Sequence, residues 1–210
     1  MAGQMGEEKL IALEIKDGSN VIRFCEGRSF GAQKSVAGEL VFQTGMVGYP
    51  ESITDPSYRG QILVLTFPLV GNYGVPSRGD RDAVLQDLPA HFEAAEIHIA
   101  GLVVASYCGE DYSHHLATSS LGTWLREQDV PAICDVDTRA LTKRIREHGS
   151  MLGRLRLQSS SEPPSIPLTN GDHLNNGLDG LASGAVTQLP VVEYEDIPWT
   201  DPNVKNLVAD

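Results

Sequence analysis

The sequence has no apolar run long enough to cross a lipid bilayer. Its longest apolar stretches, ILVLTFPLV at 62–70 and IHIAGLVVAS at 97–106, fall far short of the roughly 20 residues that a transmembrane helix requires. Both are typical of buried strands instead. The N-terminal stretch MAGQMGEEKLIALEI also lacks the pattern of a secretory signal and the arginine-rich composition of a transit peptide. We therefore expect a cytoplasmic protein that binds no membrane.

Cysteine is scarce, and its spacing excludes the common cysteine-based scaffolds. The three cysteines, Cys25, Cys108 and Cys134, are an odd number and form no CxxC motif. This pattern disfavours both a disulfide framework and a zinc site, and it fits a reducing compartment. We expect the three thiols to be small buried side chains.

Basic residues are also few, because 16 Lys and Arg stand against 28 Asp and Glu, which gives a formal net charge of −12. A nucleic-acid-binding chain needs clustered cations to release counterions, so this balance counts against nucleic acid as a partner. One local cluster nevertheless predicts a basic face on an acidic body, either solvated or used for docking. Its members are Arg139, Lys143, Arg144, Arg146, Arg154 and Arg156.

The usual catalytic and phosphate-binding motifs are absent. The sequence contains no GxSxG, GxGxxG or GxxxxGK[ST] pattern. The pairs Asp135/Asp137 and His114/His115 have no further ligands at the spacing of a metal site, and helix capping or a loop position accounts for them. The residues alone therefore predict a domain without its own catalytic equipment and without a metal site.

The sequence does contain strand and helix patterns in an irregular order. Apolar alternation on both sides of Asp17-Gly18 predicts an opening hairpin. Further strands are predicted at 40–43, 61–67, 97–105 and 151–157, with a short one before Asp137. Helices are predicted within 80–95, after a cap at 118–120, and after a cap at Asp137 or Thr138. This order predicts an α+β domain with mixed sheets and a few helices.

The composition changes after Gln158, where Ser, Pro, Asn and Gly replace periodic apolar residues. We therefore predict a domain at 1–158 and an extension or linker at 159–210. Within the domain, the segment GYPESITDPSYRG at 48–60 contains Asp55-Pro56, which predicts a turn that presents hydroxyl groups outward.

Residues 38–74, GELVFQTGMVGYPESITDPSYRGQILVLTFPLVGNYG, resemble a specific family. They are similar to the N-terminal domain of the small subunit of glutamine-dependent carbamoyl-phosphate synthase. The similarity continues through SFGA at 29–32, IHIAGLVV at 97–104 and DVDTRALTKRIREHGSMLG at 135–153. The amino-acid sequence of these segments looks most like that of the fungal polypeptides of the pyrimidine pathway, in which this domain is fused to further enzymes.

The resemblance implies a swivelling β/β/α fold packed against two partners, a class I glutaminase domain and the large synthase part. The whole enzyme of that family makes carbamoyl phosphate from glutamine, bicarbonate and ATP. The resemblance assigns ATP and Mg²⁺ to the synthase part and implies no cofactor in this domain. Since the family's Cys-His-Glu constellation belongs to the glutaminase domain, none of the three cysteines here is expected to be catalytic.

The resemblance also implies one site residue and two weaker candidates. The glutamine-contacting serine of the family's T-D-P-S-Y motif falls on Ser57. Asp55 and Met46 lie in segments that the resemblance places near the ammonia path, although an Asx turn also explains Asp55. The basic helix after Asp137 is implied to face a partner.

Two alternatives remain at this point. One is an arginine-pathway small subunit, which the absence of a mitochondrial targeting pattern disfavours. The other is a freestanding, non-catalytic interaction or regulatory module with the same fold.

Overall fold

The computed structural model describes residues 9–17, 20–84, 86, 89–149 and 151–158. The strands are β1 (Leu10–Asp17), β2 (Asn20–Ser29), β3 (Val36–Gln43), β4 (Gln61–Val70), β5 (Val75–Pro76), β6 (Gly101–Tyr107), β7 (Ala117–Ser119), β8 (Ala132–Cys134) and β9 (Met151–Leu157). The helices are α1 (Tyr49–Thr54), α2 (Leu121–Glu127) and α3 (Thr138–His148), and a 3-10 turn spans Pro56–Tyr58.

Seven strands form a sheet that closes on itself. Their order is β1-β2-β8-β6-β4-β3-β9, and β9 pairs back onto β1. The strands β3, β4, β6 and β8 run parallel to one another, whereas β1, β2 and β9 join the sheet through antiparallel pairs. This mixed sheet with a few helices confirms the predicted α+β class.

Two hydrophobic clusters use opposite faces of the central strands. Ile62 and Val64 of β4 belong to a cluster that takes residues from six strands and from α3, including Leu141 and Ile145. Alternate residues of the same strands, such as Leu63, pack with α1 and α2 in the second cluster. Because successive strand residues face opposite ways, the parallel strands are buried on both faces, as their continuous apolar sequences predict.

Local sequence signals place several elements correctly. The hairpin pairs β1 with β2 and has Asp17 opposite Asn20. Helix α2 begins after Ser120, whose side chain accepts a hydrogen bond from the N–H of Thr123. Helix α3 has the same arrangement at Asp137 and ends at Gly149, which has a φ of 78°. A positive φ favours glycine, so this residue ends the helix without strain.

The helix prediction within 80–95 was wrong, and the strand predicted at 97–105 is present but starts four residues later. The described residues between 80 and 95 contain no helix, and Arg81 instead forms an isolated bridge with Pro89. Strand β6 begins only at Gly101, because His98 and Ala100 donate their N–H groups to Ile53 and Gln61 in the connection that precedes it.

No helix in the described part of the chain has the length and apolar character that crossing a bilayer demands. The predicted extension at 159–210 lies outside the described residues, so the boundary after 158 stays a prediction.

Candidate functional site

The segment 48–60, predicted as a turn, is largely helical. Gly48 has a φ of 82° and leads into α1, where Pro50 occupies an early position at which its missing N–H costs no hydrogen bond. No side chain of the segment caps the helix. Instead, the Tyr73 hydroxyl oxygen accepts hydrogen bonds from the backbone N–H groups of Gly48 and Tyr49 at 2.8 and 3.0 Å. The turn prediction was wrong for Tyr49–Thr54 because this capping group lies far away in the sequence.

The hydroxyl side chains of α1 face the protein interior, contrary to the prediction of outward hydroxyls. Ser52 and Thr54 are buried, and Ser52 Oγ donates to the Gly48 carbonyl at 2.8 Å. Thr54 Oγ1 donates to the Pro50 carbonyl at 2.8 Å and accepts a hydrogen bond from the Glu93 N–H at 3.0 Å. Thr54 therefore ties the end of α1 to the loop before β6.

The 3-10 turn after α1 holds Ser57 on the surface. Asp55 Oδ1 accepts a hydrogen bond from the Ser57 backbone N–H at 2.8 Å, so Asp55 forms the Asx turn that its sequence position suggested. Two backbone bonds of 3.1 Å, from Tyr58 to Asp55 and from Arg59 to Pro56, complete the turn. The Ser57 side chain is exposed, and its hydroxyl has no hydrogen-bond partner among the described residues. The backbone is thus fixed while the hydroxyl is available.

Backbone contacts fix this turn relative to the sheet. The Ile53 carbonyl accepts from the His98 N–H at 3.0 Å, and the His98 carbonyl accepts from the Gly60 N–H at 3.3 Å. The Gly60 carbonyl lies so close to β3 that a Cβ on Gly38 would meet it at 2.6 Å. A side chain at Gly38 would therefore push the turn away from the sheet.

Met46 does not lie with Asp55 and Ser57. It follows the carboxyl end of β3, whereas Ser57 precedes the amino end of β4, and these two strands are parallel. The two residues therefore lie at opposite edges of the parallel strands. Met46 and its neighbour Val47 are 69% and 77% exposed, which makes this loop an apolar surface. Of the three site residues predicted from sequence, the structure brings only Asp55 and Ser57 together.

The cysteine thiols are protected from ionisation. Burial raises the pKa of Cys25 to about 12, and the neighbouring Glu26 carboxylate adds to this shift. Burial also raises the pKa of Cys134 to about 11 and the pKa of Cys108 above its ordinary value. All three cysteines are free, and only Cys134 is fully buried. None of the three has the lowered pKa of an activated nucleophile.

Of the Asp and His pairs considered from sequence, the two Asp residues have structural roles and the two His residues lie on the surface. The Asp135 carboxylate lies 2.5 Å from the Arg28 guanidinium, whose hydrogen bonds lower the pKa of Asp135. Asp137 caps α3. His114 and His115 are exposed, with their ring centres 4.5 Å apart. Across the described ranges, no three or more His, Cys, Asp and Glu side chains are arranged to hold a metal ion.

The basic residues predicted to share one face occupy two different environments. Arg139, Lys143 and Arg146 are exposed on α3. Arg154, in contrast, is fully buried on β9, with its Nη2 2.9 Å from Oε2 of Glu14. The prediction was wrong for Arg154 because the pairing of β1 with β9 sets Glu14 directly opposite it.

Comparison with known proteins gives a consistent result. The family described as carbamoyl-phosphate synthase small chain, CPSase domain, matches residues 13–155. Multifunctional protein pyr-3 of Neurospora crassa is 63% identical over 203 residues, which cover 97% of this chain and 10% of that protein. Multifunctional protein pyrABCN of Emericella nidulans is 59% identical over 202 residues, which cover 96% of this chain and 8% of that protein.

A shorter relative matches a smaller part of the chain. The carbamoyl phosphate synthase arginine-specific small chain of Saccharomyces cerevisiae is 55% identical over 141 residues, which cover 67% of this chain and 34% of that protein. The chain therefore spans 10% or less of the two multifunctional relatives and about a third of this one. Because the family match spans residues 13–155, more than half of the chain, the chain belongs to the carbamoyl-phosphate synthase small chain family and contains its CPSase domain.

Proposed function

We propose that this domain contributes one wall of the glutamine site of a glutamine-dependent carbamoyl-phosphate synthase, through the hydroxyl of Ser57. The observation that supports this proposal is the combination of a fixed backbone with an available side chain. Asp55 holds the Ser57 N–H at 2.8 Å, while the Ser57 hydroxyl is exposed and has no partner among the described residues. A site that binds a substrate from a neighbouring domain needs this combination.

A serine hydroxyl suits glutamine because it can donate one hydrogen bond and accept others. It can therefore bind either the substrate's carboxylate and carbonyl oxygens or its ammonium and amide N–H groups. The short side chain also loses little conformational entropy on binding. The proposed role of Ser57 is to bind and orient glutamine, and it includes no bond-breaking step.

Glutamine hydrolysis is assigned to a class I glutaminase domain that packs on this one. The raised pKa values of Cys25, Cys108 and Cys134 support this division, because a thiol nucleophile acts as its thiolate. The ammonia released there would pass to a large synthase part, which uses it with bicarbonate and ATP to make carbamoyl phosphate. ATP and Mg²⁺ would act in that synthase part.

Met46 receives a separate role in this proposal. Its loop is the apolar surface at the edge opposite Ser57, and exposed apolar residues mark surfaces that a partner covers. Covered by a neighbouring domain, Met46 and Val47 would line a dry passage suited to ammonia. Asp55 contributes to the site by holding Ser57.

The pyrimidine pathway is favoured over the arginine pathway. The multifunctional proteins pyr-3 and pyrABCN match 97% and 96% of this chain, whereas the arginine-specific small chain of Saccharomyces cerevisiae matches 67%. The longer match supports an enzyme of the multifunctional type. We further propose a cytoplasmic location for this enzyme.

Glutamine protection of a reporter thiol tests the proposed site. Ser57→Cys is introduced into the complete enzyme, and alkylation at position 57 is followed by peptide mass spectrometry with and without glutamine. Ser113→Cys is the matched control, since Ser113 is also exposed but lies in the loop after β6. Glutamine should slow alkylation at position 57 and leave position 113 unchanged. Equal rates at position 57 with and without glutamine would contradict the proposal.

A further inference from the structure

A basic groove lies between α3 and the carboxyl ends of the parallel strands. It has a volume of about 510 Å³. Thr44 follows β3, Thr66 lies in β4 and Ala105 lies in β6, and these residues line one wall. Residues of α3 between Thr138 and Arg146 form the other wall. The groove is thus at the edge of the sheet that carries Met46, away from Ser57.

Three cations on α3 face this groove. Arg139, Lys143 and Arg146 all line it, and their i, i+4, i+7 spacing sets them along one side of the helix. The Arg146 guanidinium lies 5.2 Å from the centre of the Phe42 ring, which orients it. In the described part of the chain, neither Arg139 nor Lys143 has an ion-pair partner.

The acidic residue that lines the groove does not neutralise these cations. Asp137 accepts a hydrogen bond from the Ala140 N–H at 2.9 Å and so caps the helix. Counting Asp137 against the three cations still leaves an excess of positive charge. The groove therefore favours an anionic occupant, although the chain as a whole is acidic.

The rest of the same chain supplies such an occupant. Residues 159–210, which lie outside the described part, contain eight Asp and Glu and one Lys, so they carry −7 of the formal net charge of −12. Four of these acids fall within the stretch VVEYEDIPWTD at 191–201, which also contains Tyr194, Ile197 and Trp199.

We propose that the acidic segment 191–201 binds in the α3 groove of its own chain. Glu193, Glu195 and Asp196 would contact the α3 cations. The chain between 158 and 191 is long enough to reach the groove, because an extended residue spans about 3.3 Å and the strands of the sheet are only a few residues long. Covalent connection raises the effective concentration of the segment, so weak charge contacts suffice to keep it bound.

Carbodiimide cross-linking of the full 210-residue chain tests this proposal, since the reagent joins an amine to a carboxylate only when the two are in contact. The expected product joins Lys143 to an acid of 191–201. Lys34 and Asp129, whose charged atoms lie 2.5 Å apart, provide an internal control for a folded chain. Mixing isotopically labelled and unlabelled chains separates a link within one chain from a link between copies.

Variants that keep the reporter lysine sharpen the test. The double variant Arg139→Glu/Arg146→Glu should lower the yield of the Lys143 cross-link at least ~5-fold, whereas Arg78→Glu, a surface change outside the groove, should not. High salt should also lower the yield in the unmodified chain, because the screening length falls to about 3 Å at 1 M. If the double variant fails to fold, the Lys34–Asp129 cross-link is lost as well. The salt dependence of the Lys143 cross-link in the unmodified chain then tests the proposal.

Three results would overturn the proposal. The first is no link from Lys143 to 191–201 while Lys34 and Asp129 are joined. The second is a link that forms only between copies of the chain. The third is a yield that neither salt nor the double variant changes.

Discussion

The side chain of Asp55 is hydrogen-bonded to the backbone of Ser57, because Asp55 Oδ1 accepts a hydrogen bond from the Ser57 N–H at 2.8 Å. This bond fixes the backbone of the residue proposed to bind glutamine. It leaves the Ser57 hydroxyl itself outside the described hydrogen-bond network. The two residues of the turn therefore have different roles. Asp55 positions the Ser57 backbone, and the Ser57 hydroxyl is the group proposed to bind glutamine.

Asp55→Ala should raise the KM for glutamine in the complete enzyme about fivefold and leave ammonia-supported synthesis unchanged. The loss of one turn-forming bond is worth about 1 kcal/mol, which corresponds to this factor. Steady-state kinetics with each nitrogen donor measure both values.

Asp55→Asn is the control, because the amide oxygen can still accept the Ser57 N–H while the charge is lost. It should behave like the unmodified enzyme. If Asp55→Asn impairs the enzyme as much as Asp55→Ala, the charge of Asp55 matters in its own right and the positioning account is wrong.

Arg154→Met should destabilise the 210-residue chain by about 3–5 kcal/mol. Arg154 and Glu14 are 0% and 1% exposed, so removing the arginine breaks a buried ion pair. The double variant Glu14→Leu/Arg154→Met should recover most of this loss, because both charges are then absent. Urea unfolding curves give the three free energies of unfolding.

Arg28→Met provides the comparison for that series. Arg28 and Asp135 form an ion pair whose side chains are 46% and 43% exposed, so breaking it should cost no more than about 1 kcal/mol. If Arg28→Met and Arg154→Met lower the free energy of unfolding equally, burial does not determine how much these ion pairs contribute to stability.

The thiols of the folded chain should react slowly with iodoacetamide at neutral pH, and their reaction rates should rise only as the pH exceeds 9. The sign follows from the direction of the shifts, because a raised pKa postpones formation of the thiolate to higher pH. For Cys25 the ordinary value of 9.0 rises to about 12, and for Cys134 it rises to about 11. A rate that titrates within about 3.5–7.5, the range of activated cysteines, would reveal a nucleophile and contradict the proposed division of labour.

Features set by neighbouring residues in the sequence could be predicted. The Asp17–Asn20 hairpin, the Ser120 cap of α2 and the Asp137 cap of α3 all arise within a few residues, so local patterns identify them. The Asx turn at Asp55 belongs to the same class, because its donor lies two residues away.

Features set by distant residues could not be predicted in this way. The helix at Tyr49–Thr54 depends on the hydroxyl of Tyr73, which caps it from another loop. The burial of Arg154 depends on Glu14, 140 residues earlier in the chain. The separation of Met46 from Ser57 likewise follows from the parallel pairing of β3 with β4.

The kinetic effect of Ser57→Ala in the complete enzyme tests the central claim most directly. The substitution should raise the KM for glutamine by roughly 2–12-fold, since one hydrogen bond to substrate contributes about 0.5–1.5 kcal/mol. Ammonia-supported synthesis should stay unchanged, and Ser113→Ala should alter neither activity. An unaltered glutamine KM in Ser57→Ala, or an equal loss with both nitrogen donors, would contradict the account.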